Sequence, residues 1–364
     1  MLSYRQIGHA PASVTAIGPG DASPPVPAEP AKTVASAHAW RGVLIALIVL
    51  GHNRLFESHA YGAYRLLYNF HVEAFLIIPF LRRADRDRRV DWLYPLKTYY
   101  RPFCVFVTAY AVLFAVSGVA DAPRSIGDAF ARYGSALTLA NSAAIERATG
   151  FEMFWFLPVF IILATIRPLL DRANAGWFAV ALFAAAAAHA TIGYLDARIA
   201  AMLPWGVPIV AYMLFPCLLA AALAKTGWST AIPLWAAGTV FAAMTAVCVI
   251  DKLSINLSDF KLYDATHPAG LIVTDILMVS ASIIFLRGGA HLRVRWLDAL
   301  GRHSLQIYLI HGIIGYALVR LAGHVLMATA PLLAITYAAT LLLSFLIARW
   351  MMRSPVGAWI FAAR

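Results

Sequence analysis

The stretch that decides the fold is His38–Phe56, HAWRGVLIALIVLGHNRLF. Eight consecutive apolar residues, Val43–Leu50, stand between Arg41 and His52, which are eleven positions apart. On an α-helix eleven residues turn through roughly 1100°, about 20° past three full turns, so the two side chains share one face. They also rise about 16.5 Å, roughly half of a hydrocarbon layer about 30 Å thick. With Arg41 at one membrane surface, His52 sits near the midplane. A titratable ring at that depth is expected to face the bundle interior and to have partners, which makes it a functional candidate.

Composition extends this reading to the whole chain. The 364 residues are 61% apolar and 13% charged, with a mean hydropathy of +0.72. Soluble domains carry about 25% charged residues, so the balance gives an all-α polytopic membrane protein. The net charge of +11 is no sign of a nucleic-acid partner, because basic residues gather on cytoplasmic loops for topological reasons. Cys104, Cys217 and Cys248 all lie in apolar runs, and their odd number argues against a disulfide framework or a thiolate metal site.

Residues 1–35 are rich in Pro, Ala, Ser and Gly and lack the apolar run of a secretory signal, so they read as a disordered cytoplasmic tail. Ten spanning segments follow, at about 37–56, 64–81, 98–119, 151–169, 175–194, 204–224, 231–250, 268–286, 303–321 and 331–352. They form one transmembrane domain, 36–353, with a short tail at 354–364. In the segment at 175–194, Ala184–Ala188 is expected to pack closely against a neighbour. The arginines give the orientation. Of 29 Lys and Arg, an arrangement with both termini inside leaves nine outside: Arg54, Arg65, Arg124, Arg132, Arg147, Arg198, Lys252, Lys261 and Arg320. That bias supports two cytoplasmic termini.

On these spans His52, His71 and His311 fall near one level, His71 about 10 Å and His311 about 12 Å from their nearer surfaces. Glu73 lies two residues past His71. Two readings stand side by side: a polar chamber for chemistry, and hydrogen bonds that only hold helices together. The spacing is not that of a zinc site, so no metal is expected. Ser304, Tyr308 and His311 stack on one helix face, where a hydroxyl and a phenol can orient the ring or equally make ordinary interhelical contacts. The loop LRRADRDRRVDWLYPLKTYYRP holds Arg82, Arg83, Arg86, Arg88, Arg89, Lys97 and Arg101. It is a positive-inside anchor, and its arginines also suit a phosphate-bearing donor such as a coenzyme A thioester. No Walker loop, dinucleotide fingerprint or serine elbow is present.

Four stretches together carry a resemblance: RGVLIALIVLGH with Arg41 and His52, YNFHVEAFLIIPFL with His71, FEMFWFLPVFII with Trp155, Phe156 and Leu157, and LGRHSLQIYLIHGII with Gly301, Ser304, Tyr308 and His311. In that order they resemble the acyltransferase-3 family of integral-membrane O-acyltransferases, particularly its fucose-4-O-acetylase-like members. The chain departs from the family in places. Val72-Glu73 replaces Met-Pro, Ile78-Pro79 replaces Ser-Gly, Gly312 replaces a proline, and Lys97 and Arg101 stand where an Arg-x2-Arg pair is usual.

The resemblance implies transfer of an acyl group, most simply acetyl, from acetyl-CoA as co-substrate to a sugar hydroxyl. The acceptor would be a cell-surface glycan or its lipid-linked precursor, and the location a bacterial inner membrane, multi-pass. Arg41, Lys97 and Arg101 would bind the donor, with no cofactor held permanently. His52 would serve as general base, an imidazole being suited to that role near neutrality, or as nucleophile in an acyl-histidine relay, with His71, Glu73 and His311 assisting. The competing class is a transporter or flippase, in which intramembrane His and Glu relay protons or substrate.

Overall fold

The computed structural model describes residues 38–82, 91–117, 121–192, 199, 202–253, 268–292, 294–323 and 329–361. The expected N-terminal tail, 1–35, lies outside them, as do Arg83, Arg86, Arg88 and Arg89. No β-strand occurs among the described residues.

The first helix, α1 (Ala39–Gly51), is followed by three short ones: α2 (Arg54–His59), α3 (Tyr61–Tyr68) and α4 (His71–Leu81). A π-helical turn, Leu96–Tyr100, leads into α5 (Arg101–Val116). Two further helices, α6 (Ile126–Leu139) and α7 (Ser142–Thr149), precede a 3-10 turn at Met153–Trp155 that opens α8 (Phe156–Arg172). Beyond it come α9 (Ala175–Ile192), α10 (Val207–Thr226), α11 (Trp228–Ala231), α12 (Leu234–Ile250) and α13 (Pro268–His291). The last four are α14 (Arg295–Arg302), α15 (Ser304–Gly323), α16 (Ala330–Met351) and α17 (Pro355–Phe361).

Seven helical segments among the described residues are long and apolar enough to cross a bilayer: Leu96–Val116, Met153–Arg172, Ala175–Ile192, Pro204–Thr226, Ala269–His291, Ser304–Leu321 and Ala330–Met351. These answer to seven of the ten expected segments. Two more, Ala39–Gly51 and Leu234–Ile250, are apolar but shorter. The remaining expected segment, 64–81, is not one helix: α3 and α4 are separated by Asn69 and Phe70. Polar backbone freed at such a break is tolerated at membrane depth only inside protein or beside a cavity.

The short helix α1 is the centre of the bundle, touched by α4, α13, α14, α15 and α16. Leu44, Ile45, Ile48 and Val49 on it are all buried. In a bilayer the lipid is as apolar as the side chains, so close packing holds helices together, and small residues permit it. At Gly42 an added Cβ would fall on the carbonyl of Leu297 in α14, and one at Gly301 would fall on the carbonyl of His38. The two backbones thus meet directly. Gly289 of α13 admits Trp40 in the same way, its added Cβ lying 2.7 Å from the Trp40 Cβ.

The periphery is looser. Trp177 and Phe183 on α9 and Trp235 on α12 are exposed, as lipid-facing side chains are. The alanine run of α9 packs along one face only, through Ala185, while Ala184 and Ala187 face outward. A buried contact between His189 Nε2 and Asp275 Oδ2, 3.0 Å apart, ties α9 to α13.

Candidate active site

Both breaks in the expected helices fall at candidate histidines. Helix α1 stops at Gly51, and His52 caps it with φ −86° and ψ 3°. Asn53 then turns the chain. Its Oδ1 accepts from the Leu55 N–H at 3.0 Å, starting α2, and its Nδ2 donates to Thr336 Oγ1 of α16 at 3.0 Å. At the second break Asn69 is buried and donates to the Leu253 carbonyl at 3.1 Å. Phe70 packs against Phe241 and Phe285 with ring centroids 5.3 and 6.1 Å apart. These contacts pin His71 as the first residue of α4.

The hydrogen bonds fix which nitrogen of each neutral ring carries the proton, because a carbonyl only accepts. His311 Nδ1–H donates to the Tyr308 carbonyl at 2.7 Å, leaving its Nε2 an acceptor. That Nε2 lies 3.0 Å from His52 Nδ1, so His52 donates from Nδ1. The His52 Nε2 then keeps its lone pair. By the same logic His71 Nδ1–H donates to the Leu67 carbonyl at 2.6 Å, and its Nε2 has no hydrogen-bond partner among the described residues. Two imidazoles therefore each present an unprotonated Nε2 beside the same helix end. Gly51 allows this closeness, since a Cβ there would stand 3.2 Å from His71 Nε2 and 3.3 Å from the Tyr68 ring.

Tyr68 lies between them, edge-on to His52 at 6.4 Å and to His71 at 4.9 Å between ring centroids. On α15 the Tyr110 hydroxyl donates to the Leu309 carbonyl at 3.0 Å and accepts from the Ile313 N–H at 3.1 Å. Those two backbone groups ordinarily bond each other, and the residue they bracket is His311. The Tyr308 phenol does not orient His311, although the spacing allowed it. It donates instead to the Met153 carbonyl and fastens the 3-10 turn to α15. A Cβ at 312 would come 2.7 Å from Met153 Sδ, so Gly312 leaves room for the methionine.

His52 lines a small cavity of about 20 Å³, together with Tyr68, Glu73, Glu152, Trp155 and Tyr308. Such a space holds about one water-sized group. Glu73 is buried, and its Oε2 has no hydrogen-bond partner among the described residues. Of the three candidate histidines only His52 lines this cavity, and two carboxylates, the expected Glu73 and also Glu152, line it with His52.

Larger pockets open at the two ends of α1. At its start a pocket of about 580 Å³ is lined by Arg41, Arg82, Arg167 and Arg172, with Trp40, Tyr94 and Tyr99 among its walls. At its other end a pocket of about 1120 Å³ is lined by Arg54, Phe151, Tyr316 and Arg320, among others. The segment Phe151–Glu152–Met153 separates this pocket from the small cavity, Phe151 facing the first and Glu152 and Met153 the second. Lys97 and Arg101 line neither large pocket. Lys97 stands 3.6 Å from Asp91, and Arg101 donates to the Trp359 carbonyl at 2.7 Å and lies over its ring.

A family profile describing an acyltransferase domain matches residues 34–349. The chain belongs to the acyltransferase-3 family. No curated protein and no solved structure matches it. Within this acyltransferase residues from the four stretches that carry the resemblance, far apart in sequence, gather at the His52 end of α1. His52, His71 and Glu73 meet beside it, His311 reaches it from α15, and Trp155 and Phe156 wall the cavity.

The sequence reading missed Glu152, Tyr68 and Tyr110, and it missed Arg82, Arg167 and Arg172 as one cluster. Glu152 sits at the start of a spanning segment, where a lone acid reads as an interfacial residue. Its place inside FEMFWFL was the available signal. Among the described residues no group of three or more His, Cys, Asp or Glu side chains is arranged to hold a metal ion.

Proposed function

We propose that this membrane acyltransferase moves an acetyl group from acetyl-CoA to a hydroxyl of a sugar. The acceptor is a cell-surface glycan or its lipid-linked precursor, and the setting is a bacterial inner membrane. The single observation that carries the reading is the His52–His311 hydrogen bond, 3.0 Å long, which leaves His52 Nε2 free to take a proton beside the cavity.

The donor's phosphates lie in the pocket at the start of α1, held by Arg41, Arg82, Arg167 and Arg172, since guanidinium groups grip phosphate bidentately. Lys97 and Arg101 stand outside that pocket and are given no part. From there the pantetheine arm runs toward His52, about 16.5 Å along the helix. His52 Nε2 removes the acceptor's hydroxyl proton as the oxygen attacks the thioester carbonyl. The tetrahedral intermediate collapses, the carbon–sulfur bond breaks, and the leaving thiolate takes the proton back from His52. His311 holds the ring through Nδ1, so the transient imidazolium keeps its orientation. His71 Nε2, an acceptor like that of His52, helps to orient the incoming hydroxyl, and Glu73 lines the cavity beside it. With the donor filling the pocket at Arg41, the acceptor reaches the cavity from the opposite end of α1.

The test uses membranes containing wild type or His52→Ala, given radiolabelled acetyl-CoA and cell-envelope glycans. Label entering the glycan fraction only with wild type is the expected result. Equal labelling with both would remove His52 from the chemistry. A transporter or flippase is the second reading, favoured by the interrupted helices α3 and α4, a feature of many transporter binding sites. Movement of unmodified glycan across the bilayer, without label transfer, would decide for it.

A further inference from the structure

The large pocket beyond His52 differs from an ordinary polar cleft in how its arginines are compensated. On one wall Arg132 has an acidic partner: its Nε lies 2.9 Å from Asp128 Oδ1, and its Nη1 donates to the carbonyls of Asp121 and Arg147. On the other wall Arg54 and Arg320 converge on a single ring. Their Cζ atoms lie 5.8 and 6.0 Å from the centroid of Tyr316, and Arg320 Nη1 donates to the Tyr316 hydroxyl at 3.1 Å. Neither forms an ion pair with a carboxylate among the described residues. Two like charges gathered about one phenol repel each other, and an anion between them relieves that repulsion while accepting guanidinium hydrogen bonds.

Position gives this charge a use. Arg54 follows His52 by two residues, so the pair of guanidiniums is tied to the end of α1 that carries the histidine. Phe151 packs edge-on against Tyr316 at 5.8 Å between ring centroids, and next to Phe151 the chain enters the wall of the small cavity. An aromatic floor and a charged rim together fit a sugar ring bearing an acidic substituent. The pocket lining also includes Asp121, Asp128 and Glu146, but none of them forms an ion pair with Arg54 or Arg320, so an acidic substituent would supply these two with a direct counter-charge that a neutral sugar lacks.

We propose that the acceptor carries a negatively charged group, a carboxylate or a phosphate, which Arg54 and Arg320 hold beside Tyr316 while its hydroxyl reaches His52. The anion pocket stands on its own geometry; its role as an acceptor site rests on the acyl-transfer reading. The arrangement selects the acceptor by charge and sets which hydroxyl arrives at the cavity.

The experiment is calorimetric titration of the full chain in phosphatidylcholine nanodiscs. Three probes are used: trigalacturonate, its neutral methyl ester, and glucose 1-phosphate. At least one charged probe is expected to bind about tenfold tighter than the ester, the size of one charge-assisted hydrogen bond. Arg54→Gln and Arg320→Gln should each remove most of that preference, with Arg295→Gln, at the other end of α1, leaving it in place. Preference for trigalacturonate assigns a uronic-acid group, and preference for glucose 1-phosphate assigns a phosphorylated one. Equal binding of charged and neutral probes, no binding of either charged probe, or a preference that survives both substitutions would overturn the proposal. A parallel set in phosphatidylglycerol nanodiscs covers a lipid source: if the two substitutions alter only retention of that lipid, the pocket is a headgroup site and the proposal fails. Charge-selective saccharide binding without any acyl transfer would leave the pocket standing and sink the transferase role.

Discussion

The two ends of α1 are built on opposite principles. At Gly42 the helix meets α14 backbone to backbone, through glycines that leave no space for a single methyl group. At His52 the helix stops, α2 and α4 begin on fresh turns, and polar rings face a cavity large enough for one small group. The first end gains rigidity from van der Waals contact, which is lost within a fraction of an ångström. The second gains direction from hydrogen bonds, which tolerate space but require correct partners. The difference teaches that the family's sequence stretches are composite. RGVLIALIVLGH supplies Gly42 to the anchor and His52 to the proposed chemistry, and LGRHSLQIYLIHGII supplies Gly301 to the anchor and His311 to the proposed chemistry.

Substitutions at the two ends should therefore fail in different ways. The largest effect on turnover is expected for His52→Ala, a loss of about 10²-fold or more in transfer rate, with an unchanged size-exclusion profile. Normal transfer by this variant would place the chemistry elsewhere. At the anchor, Gly301→Ala should show the reverse pattern: destabilisation of at least about 1–3 kcal/mol from forced backbone separation, read as a lower melting temperature and poorer yield. Rate per folded molecule should change far less, and a fully stable Gly301→Ala would break the contrast between the two ends.

A smaller effect is expected between them. Arg41→Gln should raise the KM for acetyl-CoA by about tenfold, as loss of a charged hydrogen bond does, with kcat little altered. An unchanged KM would detach the basic pocket from the donor. The smallest effect belongs to Asp128, beside the large pocket. The Arg132 guanidinium, with help from the Arg124 N–H, holds its carboxyl below the usual range. A carboxylate with a lowered folded value stabilises fully above its unfolded value of about 3.9, and the contribution is lost as pH falls through the folded value. Wild type should thus exceed Asp128→Asn slightly in melting temperature at pH 7, and the gap should close below about pH 4. A gap that widens in acid would contradict this pairing.

Much of the architecture was legible in the residues. Average hydropathy marks spanning helices because each must be apolar along its length, and seven of the expected segments are helices of spanning length. The phase of Arg41 and His52 pointed to one helix with a basic mouth at one end and a polar chamber at the other. The breaks were not legible. Gly51-His52-Asn53 and Asn69-Phe70 contain no proline, and a window average hardly registers two polar residues. Asn53 caps α2 through its Oδ1, and only the packed bundle brings Thr336 of α16 to its amide.

The sequence by itself determined an all-α membrane protein of the acyltransferase-3 family, with His52, His71 and His311 as the polar residues to watch. Apolar length and residue type are local properties, and a chain read in order is enough to see them. Tertiary structure alone decided that His311 Nε2 meets His52 Nδ1, and that Arg82, Arg167 and Arg172 line the Arg41 pocket while Lys97 and Arg101 do not. It also brought Glu152 to His52 and set Arg54 and Arg320 around Tyr316. Each of these depends on the distance between residues remote in sequence, and distance is fixed only when the helices pack.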